Sequence, residues 1–282
     1  MTDTTKSVAF IDTTVQVDRW KSKNRKDQCE ELLSRFDETI ATGMTLVEFK
    51  AVFIQQLITI HNQLRRTGAR FTTVRDALLE KNQPQAKLRS HIFNNWMGVN
   101  GRSSFEIDEK TDINDAMRAR LKLEDTIPRV YQWFKSDSAS VFLNKAAFAC
   151  NRAEEKPRKD KSVFASNLPK CVRGKNKTCC VEKVIRTRWP SIRSKLPELD
   201  ANNPDHAQLA KASAVLNGVC EDEMRQLSVG DCRSAGDALL AIEIGDIPTH
   251  AVSTNEREWR VLSDCCGLSF VPVKYTGEET HS

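Results

Sequence analysis

No apolar run in this chain approaches the length needed to cross a membrane. The opening residues, MTDTTKSVAFID, carry no basic segment followed by an apolar stretch, so no secretory signal is read there. There is no internal repeat, no aromatic motif of the kind that stacks RNA bases, and no C-x2-C knuckle among the 9 cysteines. These absences argue against a membrane span, a solenoid and a zinc ribbon. They leave the expectation of a cytoplasmic protein in a reducing compartment, with mostly free thiols or a metal site. The 282 residues suffice for one large domain, or for a domain with a long insertion. A composition of 39% hydrophobic and 29% charged residues fits a soluble globular chain.

What is present is clearest in residues 230–273. GDALLAIEI has a helical apolar pattern (Ala238, Leu239, Ala241, Ile242), Gly245 and Pro248 break it, and residues 250–253 form a short apolar strand. Thr254-Asn255-Glu256 opens a second helix carrying Trp259 and Leu262; Gly267 stops it, and residues 268–273 read as another strand. Helix, strand, helix, strand predicts an α/β fold with parallel strands. Near the start, Val8-Ala9-Phe10-Ile11 reads as a buried strand closed by Asp12-Thr13-Thr14. Residues 28–36 have helical spacing, and residues 39–42 suit a strand or a loop. Residues 45–65 predict a long helix with Leu46, Phe49, Phe53, Leu57, Ile60 and Leu64 on one side.

The middle of the chain has a different character. Residues 72–96 and 112–134 read as helices, with Leu78, Leu88, Ile92, Met117, Leu121, Ile127, Val130, Tyr131 and Phe134 as packing residues. Pro84 and Pro128 predict breaks or helix starts there. Residues 151–195 hold 14 Lys/Arg against 4 Asp/Glu, a local charge of +10 in a chain of net +5, which leaves −5 elsewhere. Such a run is either a solvated insertion or a patch for a polyanion, with Lys170, Arg173, Lys175 and Lys177 as the phosphate contacts. Cys150, Cys171, Cys179 and Cys180 fall in or beside this section. Thiolates suit tetrahedral Zn²⁺, so a structural zinc site and plain reduced thiols are both open readings. Residues 205–219 then predict an amphipathic helix.

Asp237-Ala238-Leu239-Leu240-Ala241 and Thr254-Asn255-Glu256-Arg257-Glu258-Trp259 resemble the C-terminal third of PIN-domain ribonucleases. That family shows D-A-L-x-A at a helix start and T-N-D-x-D-F at a strand end; here Glu replaces both Asp and Trp replaces Phe. The strand end at Asp12-Thr13 and the segment Thr45-Leu46-Val47-Glu48-Phe49 are similar to the family's first two motifs, in the family's order. The resemblance covers roughly residues 7–65 and 215–273. It implies a PIN-like three-layer α/β fold with a central, mostly parallel sheet, built from residues 1–65 and 215–282. The intervening residues 66–214 would be an insertion, helical in 72–150 and basic and cysteine-bearing in 150–195.

The implied activity is that of a metal-dependent endoribonuclease. Carboxylates gathered at strand ends raise one another's pKa, and a hard divalent cation relieves the repulsion. Asp12, Glu48 and Asp237 would hold Mg²⁺ or Mn²⁺ directly and Glu256 directly or through water, while Thr13, Thr254 and Asn255 would orient phosphate. RNA is the implied partner; DNA stays open, as does an inhibitor or antitoxin-like protein. Two alternatives stand beside this: a non-catalytic PIN-like RNA-binding or scaffold protein, favoured by Glu256 in place of Asp, and a DNA-directed defence nuclease. Each acid also has a local reading. Asp12 can form a turn, and Glu48 can cap with Thr45. Asp237 can pair with Ser234, and Glu258 with Asn255, which places Glu258 outside the site.

Overall fold

An unbroken apolar strand is buried only if both faces of its sheet are covered, and the chain opens with one. The computed structural model describes residues 6–66, 68–80, 85–96, 109–143, 156–157, 159–160, 163–164, 179–245 and 247–276. Its strands are β1 (Val8–Ile11), β2 (Glu38–Thr42), β3 (Val141–Leu143), β4 (Lys159–Asp160), β5 (Val163–Phe164), β6 (His250–Ser253) and β7 (Ser269–Pro272). Five of them form an all-parallel sheet in the order β3-β2-β1-β6-β7, while β4 and β5 make a separate antiparallel pair. Central β1 pairs Ala9 with Thr39 on one side and Ala9 with His250 on the other. Residues 39–42, open between strand and loop by sequence, therefore lie in strand β2.

Side chains alternate across β1 as the pleat requires. Ala9 and Ile11 pack with Val15 of α1 (Thr13–Lys21), with Cys29 and Leu33 of α2 (Lys23–Leu33), and with Val252. Phe10 goes to the opposite face, where Ala251 and Trp259 lie, its ring centroid 5.3 Å from that of Trp259. A third cluster is built by α3 (Gly43–Phe49), a π-helical turn (Lys50–Ile54), α4 (Gln55–Leu64), α5 (Phe71–Leu79), α6 (Ala86–Trp96) and α7 (Glu109–Asp137). The continuous rod Gly43–Leu64 has 22 residues and is long and apolar enough, by length and composition, to cross a membrane. That corrects the expectation that no stretch approaches such a length; 72% of its apolar window is buried inside the protein.

The second face carries α8 (Cys180–Arg193), α9 (Ala207–Glu221), α10 (Val229–Ile244) and α11 (Glu256–Cys266). Val181, Ile185, Trp189 and Ile192 of α8 form a buried stripe in the same core as Phe10, and Pro190 lies inside the helix. Two basic residues of α8 hold the ends of its neighbours. Arg186 donates to the carbonyls of Val219 (2.9 Å) and Glu223 (3.0 Å), and Arg188 donates to Ile242 O (2.9 Å). Helix C-termini leave such carbonyls without intrahelical partners, and a cation suits their partial negative charge.

Three sequence expectations for the middle section need correction. Pro128 does not break α7, which runs through it from Glu109 to Asp137. Ile127, Val130, Tyr131 and Phe134 around it are buried, and that packing outweighs the one hydrogen bond a proline removes. Met117 and Leu121, expected in the core, are each 50% exposed. The stretch read as wholly helical also contains β3, which extends the central sheet beside β2. Leu78, Leu88 and Ile92 are buried as expected.

Gly236 interrupts α10 with φ 22° and ψ −113°, so the helix is two segments meeting at a kink. A Cβ there would stand 3.8 Å from Glu48 Oε1, an ordinary contact, so the constraint lies in the backbone angle. Gly236→Ala is expected to destabilise the fold by about 1–3 kcal/mol, read as a lower midpoint in a urea titration with an unchanged slope.

Candidate metal centre in an acidic cleft

From β1 the chain moves outward through β2 to β3, then returns to the other side of β1 for β6 and β7. The strand order therefore reverses between β1 and β6, and the crevice beyond the carboxyl ends of such strands is where ligands bind in open α/β sheets. Asp12 follows β1 directly and caps α1. Its Oδ1 accepts the Thr13 backbone N–H at 2.6 Å, and its Oδ2 accepts the hydroxyls of Thr14 and Ser253, each at 2.6 Å. Asp12 is thus both the turn-forming residue and an acid of the crevice, 1% exposed. Ser253 has no place in the sequence motif; its signal was a hydroxyl closing the strand just before Thr254-Asn255.

The local capping readings of the other two acids are not what the chain forms. Thr42 caps α3 with Thr45 in a reciprocal box, so Thr45 is engaged upstream and Glu48 is left out of the cap. Glu48 instead accepts the Thr13 hydroxyl at 2.8 Å. In α10 the box is Ser228 with Asp231, not Ser234 with Asp237. Asp237 is the first residue past the Gly236 kink, and its Oδ2 accepts the Asn255 amide at 2.7 Å. The three carboxylates offer ligand oxygens that all lie within 4.8 Å of one another. Among the described residues, no other group of three His, Cys, Asp or Glu side chains is placed to share an ion.

The fourth acid at this point is Glu258, not Glu256. Glu256 is exposed and pairs with Arg260 one turn along, which holds its carboxyl below the usual range. Asn255 donates to Glu258 Oε1 at 3.2 Å as well as to Asp237. The helix phase explains the choice. Trp259 and Leu262 are fully buried, and Asn255 and Glu258 share their side of α11 at i, i+3 and i, i+4 spacing. Two residues apart, Glu256 is turned away.

Burial is the main force raising these carboxyls, and their mutual repulsion adds to it. Glu48 is pushed to about 8, by burial first and then by the charge of Asp12, with Glu243 and Glu258 contributing. Asp237 stands well above its ordinary value for the same reasons, and Glu258 is raised mainly by burial. Asp12 is also raised by burial, against the pull of its hydrogen bonds from Ser253, Thr14 and Thr13. An all-oxygen donor set of this kind fits a hard divalent cation such as Mg²⁺ or Mn²⁺ better than a soft one.

The carboxylates floor a cleft of about 730 Å³. Thr13 and Thr254 line it with them, and Lys21, Arg25, Lys87 and His91 supply basic walls from α1, α2 and α6. Thr13 and Asn255 are bonded to acids rather than turned outward, so they position carboxylates. The basic wall comes from residues that the sequence motifs did not single out. Lys170, Arg173, Lys175, Lys177, Cys150 and Cys171 lie outside the described residues, as does the side chain of Cys180. Cys179 precedes α8 and packs, half-buried, against the second core.

Glu48 titrates near 4.5 in an unfolded chain and near 8 in the metal-free fold. The fold therefore holds a proton that the unfolded chain has lost, and this group's contribution to stability is full below pH 4.5 and disappears as pH rises through about 8. Metal-free protein is expected to melt lower as pH increases across that window, and Mn²⁺ is expected to restore the melting temperature at pH 8. Asp237→Asn should melt higher than wild type without metal and lose the Mn²⁺ response. An Asp237→Asn protein that melts below wild type without metal and keeps the wild-type Mn²⁺ response would refute the metal centre. Comparison with protein-family models, with curated proteins and with solved structures returned no match, so the chemistry of this cleft is read from its own residues.

Proposed function

We propose that the chain is a PIN-like, metal-dependent nuclease that hydrolyses phosphodiester bonds, with RNA as its first substrate class. One observation carries this: Asp12, Glu48 and Asp237, remote in sequence, bring their oxygens within 4.8 Å of one another on the floor of an open cleft. Supporting it are the all-parallel sheet and the location of the acids where its strand order reverses.

Asp12, Glu48 and Asp237 would hold Mg²⁺ or Mn²⁺, with Glu258 in the place expected for Glu256. The bound ion would supply Lewis-acid polarisation of a phosphoryl oxygen and a lowered pKa for its water. The protein's own residues set the conditions. Thr13 fixes Glu48 and Ser253 fixes Asp12, so that neither carboxylate needs to reorganise. Asn255 spans Asp237 and Glu258 with one amide group and holds the two acids at a set separation. Lys21, Arg25 and Lys87 on the walls suit the phosphates of a strand laid across the floor. The replacement of Asp by Glu256, which by sequence favoured a non-catalytic protein, bears little on the acid cluster because Glu256 faces solvent.

The test is cleavage of labelled single-stranded RNA and DNA with Mg²⁺, Mn²⁺ or EDTA. Metal-dependent cleavage is expected, lost in EDTA and lost in Asp12→Asn, Glu48→Gln and Asp237→Asn. Glu258→Gln should reduce it by roughly 10–100-fold, as expected for a group that supports a metal site, whereas Glu256→Gln should cut like wild type. If wild-type protein cuts neither polymer with either metal, the reading is wrong.

A further inference from the structure

The segment after β7 does more than end the sheet. Val273 N–H donates to Ser253 O at 3.0 Å, and the chain then crosses α2, where Thr276 N–H donates to Gln28 Oε1 at 2.9 Å. Between these two ties lies Tyr275. Its hydroxyl donates to Asp18 Oδ2 at 2.6 Å. Asp18 is 3% exposed, and its other oxygen holds two cations: Lys21 Nζ, and Arg25 Nη1 at 3.1 Å. The Arg25 guanidinium also lies over the Tyr275 ring, 4.6 Å from its centroid. Lys21 and Arg25 are the same two residues that line the acidic cleft from α1 and α2.

One buried carboxylate thus holds two cleft cations, and one tyrosine hydroxyl fixes that carboxylate's orientation. Long basic side chains lose rotamer freedom when they bind, and fixing them beforehand lowers that cost. Their direction matters too, since a guanidinium meets a phosphate through a planar fork. Resting on the proposed phosphodiester chemistry of the cleft, we infer that Tyr275 is a positioning residue for the substrate strand: through Asp18 it aims Lys21 and Arg25 at phosphates next to the acidic floor. Tyr275 touches neither the floor acids nor the reacting bond, so its effect falls on strand binding rather than on the chemical step.

The experiment uses the full chain and a short fluorescein-labelled single-stranded oligonucleotide. Binding is measured by anisotropy in EDTA across a salt series, and cleavage by steady-state kinetics in Mn²⁺. Tyr275→Phe keeps the ring and removes the hydroxyl. It should weaken binding and raise KM by about 3–10-fold, with kcat within about two-fold of wild type. Lys21→Gln and Arg25→Gln should each flatten the salt dependence by about 0.7 in slope, as for one lost phosphate contact on a single strand. Should Tyr275→Phe melt early, Asp18→Asn serves as the second variant and must show the same rise in KM.

A Tyr275→Phe protein with wild-type Kd, KM and salt slope overturns the inference, as does a fall in kcat at unchanged KM. The two readings fail separately. Wild type that binds the strand without cutting it removes the nuclease reading, and Tyr275 is then judged on Kd alone. Wild type that cuts, with Tyr275→Phe indistinguishable from it, removes only the role of Tyr275. Wild type that neither binds nor cuts RNA or DNA removes both.

Discussion

The parallel pairing of β1 with β6 is the contact on which the rest depends. Ala9, Phe10 and Ile11 lie beside His250, Ala251 and Val252, and the two strands end together. That common end places Asp12 against Ser253 and brings Thr254 N–H to the Thr14 hydroxyl at 3.3 Å. A slip of one residue would turn Phe10 away from Trp259 and put Ala9 and Ile11 on the wrong face. Register in the apolar centre therefore fixes the geometry of the polar crevice above it. Repulsion among the carboxylates works against this arrangement, and the apolar pairing below holds it in place.

The strands at the centre of the sheet were legible because their apolar runs are unbroken: Val8–Ile11, and residues 250–253 between clear breakers. The acids Asp12, Glu48 and Asp237 were legible from their order and from their positions at strand ends and helix starts. Which Glu of the last motif joins them was not, because a linear pattern carries no helical phase. Trp259 and Leu262 set that phase, and with it Glu258 faces inward. Helix α8 was obscured for a different reason. Its residues were weighed by charge, and Val181, Ile185, Trp189 and Ile192 form an ordinary apolar stripe beneath the basic surface. Pro128 misled in the same direction, since its local cost is set against a whole buried face of α7 that sequence alone does not weigh.

Positive charge in this chain has at least two uses. Arg186 and Arg188, within the most basic stretch, bond backbone carbonyls at the ends of α9 and α10, so a count of cations overstates what that stretch can offer a polyanion. The cations that line the acidic cleft are instead spread over α1, α2 and α6. They were invisible as a patch because the fold, not the sequence, brings them together. The Arg188 contact also explains why α10 tolerates a kink at Gly236: the segment beyond it is held at its far end by Arg188 and along its length by fully buried Ala238, Leu239, Leu240, Ala241 and Ile242.

Asp12 and Ser253 are 241 residues apart, and this separation has a consequence for synthesis. At about 5–20 residues per second, β1 waits on the order of 10–50 s for the strand that covers its second edge. Through that interval a nascent chain can already pair β1 with β2, yet it presents an open apolar edge, the kind of surface that recruits holding chaperones or a neighbouring nascent chain. The complete set of acids is fixed only when that edge closes, because Ser253 and Asn255, which hold Asp12 and Asp237, arrive with β6. Assembly of the crevice accordingly comes late in synthesis, and until β6 arrives a growing chain on the ribosome carries Asp237 apart from Asp12 and Glu48.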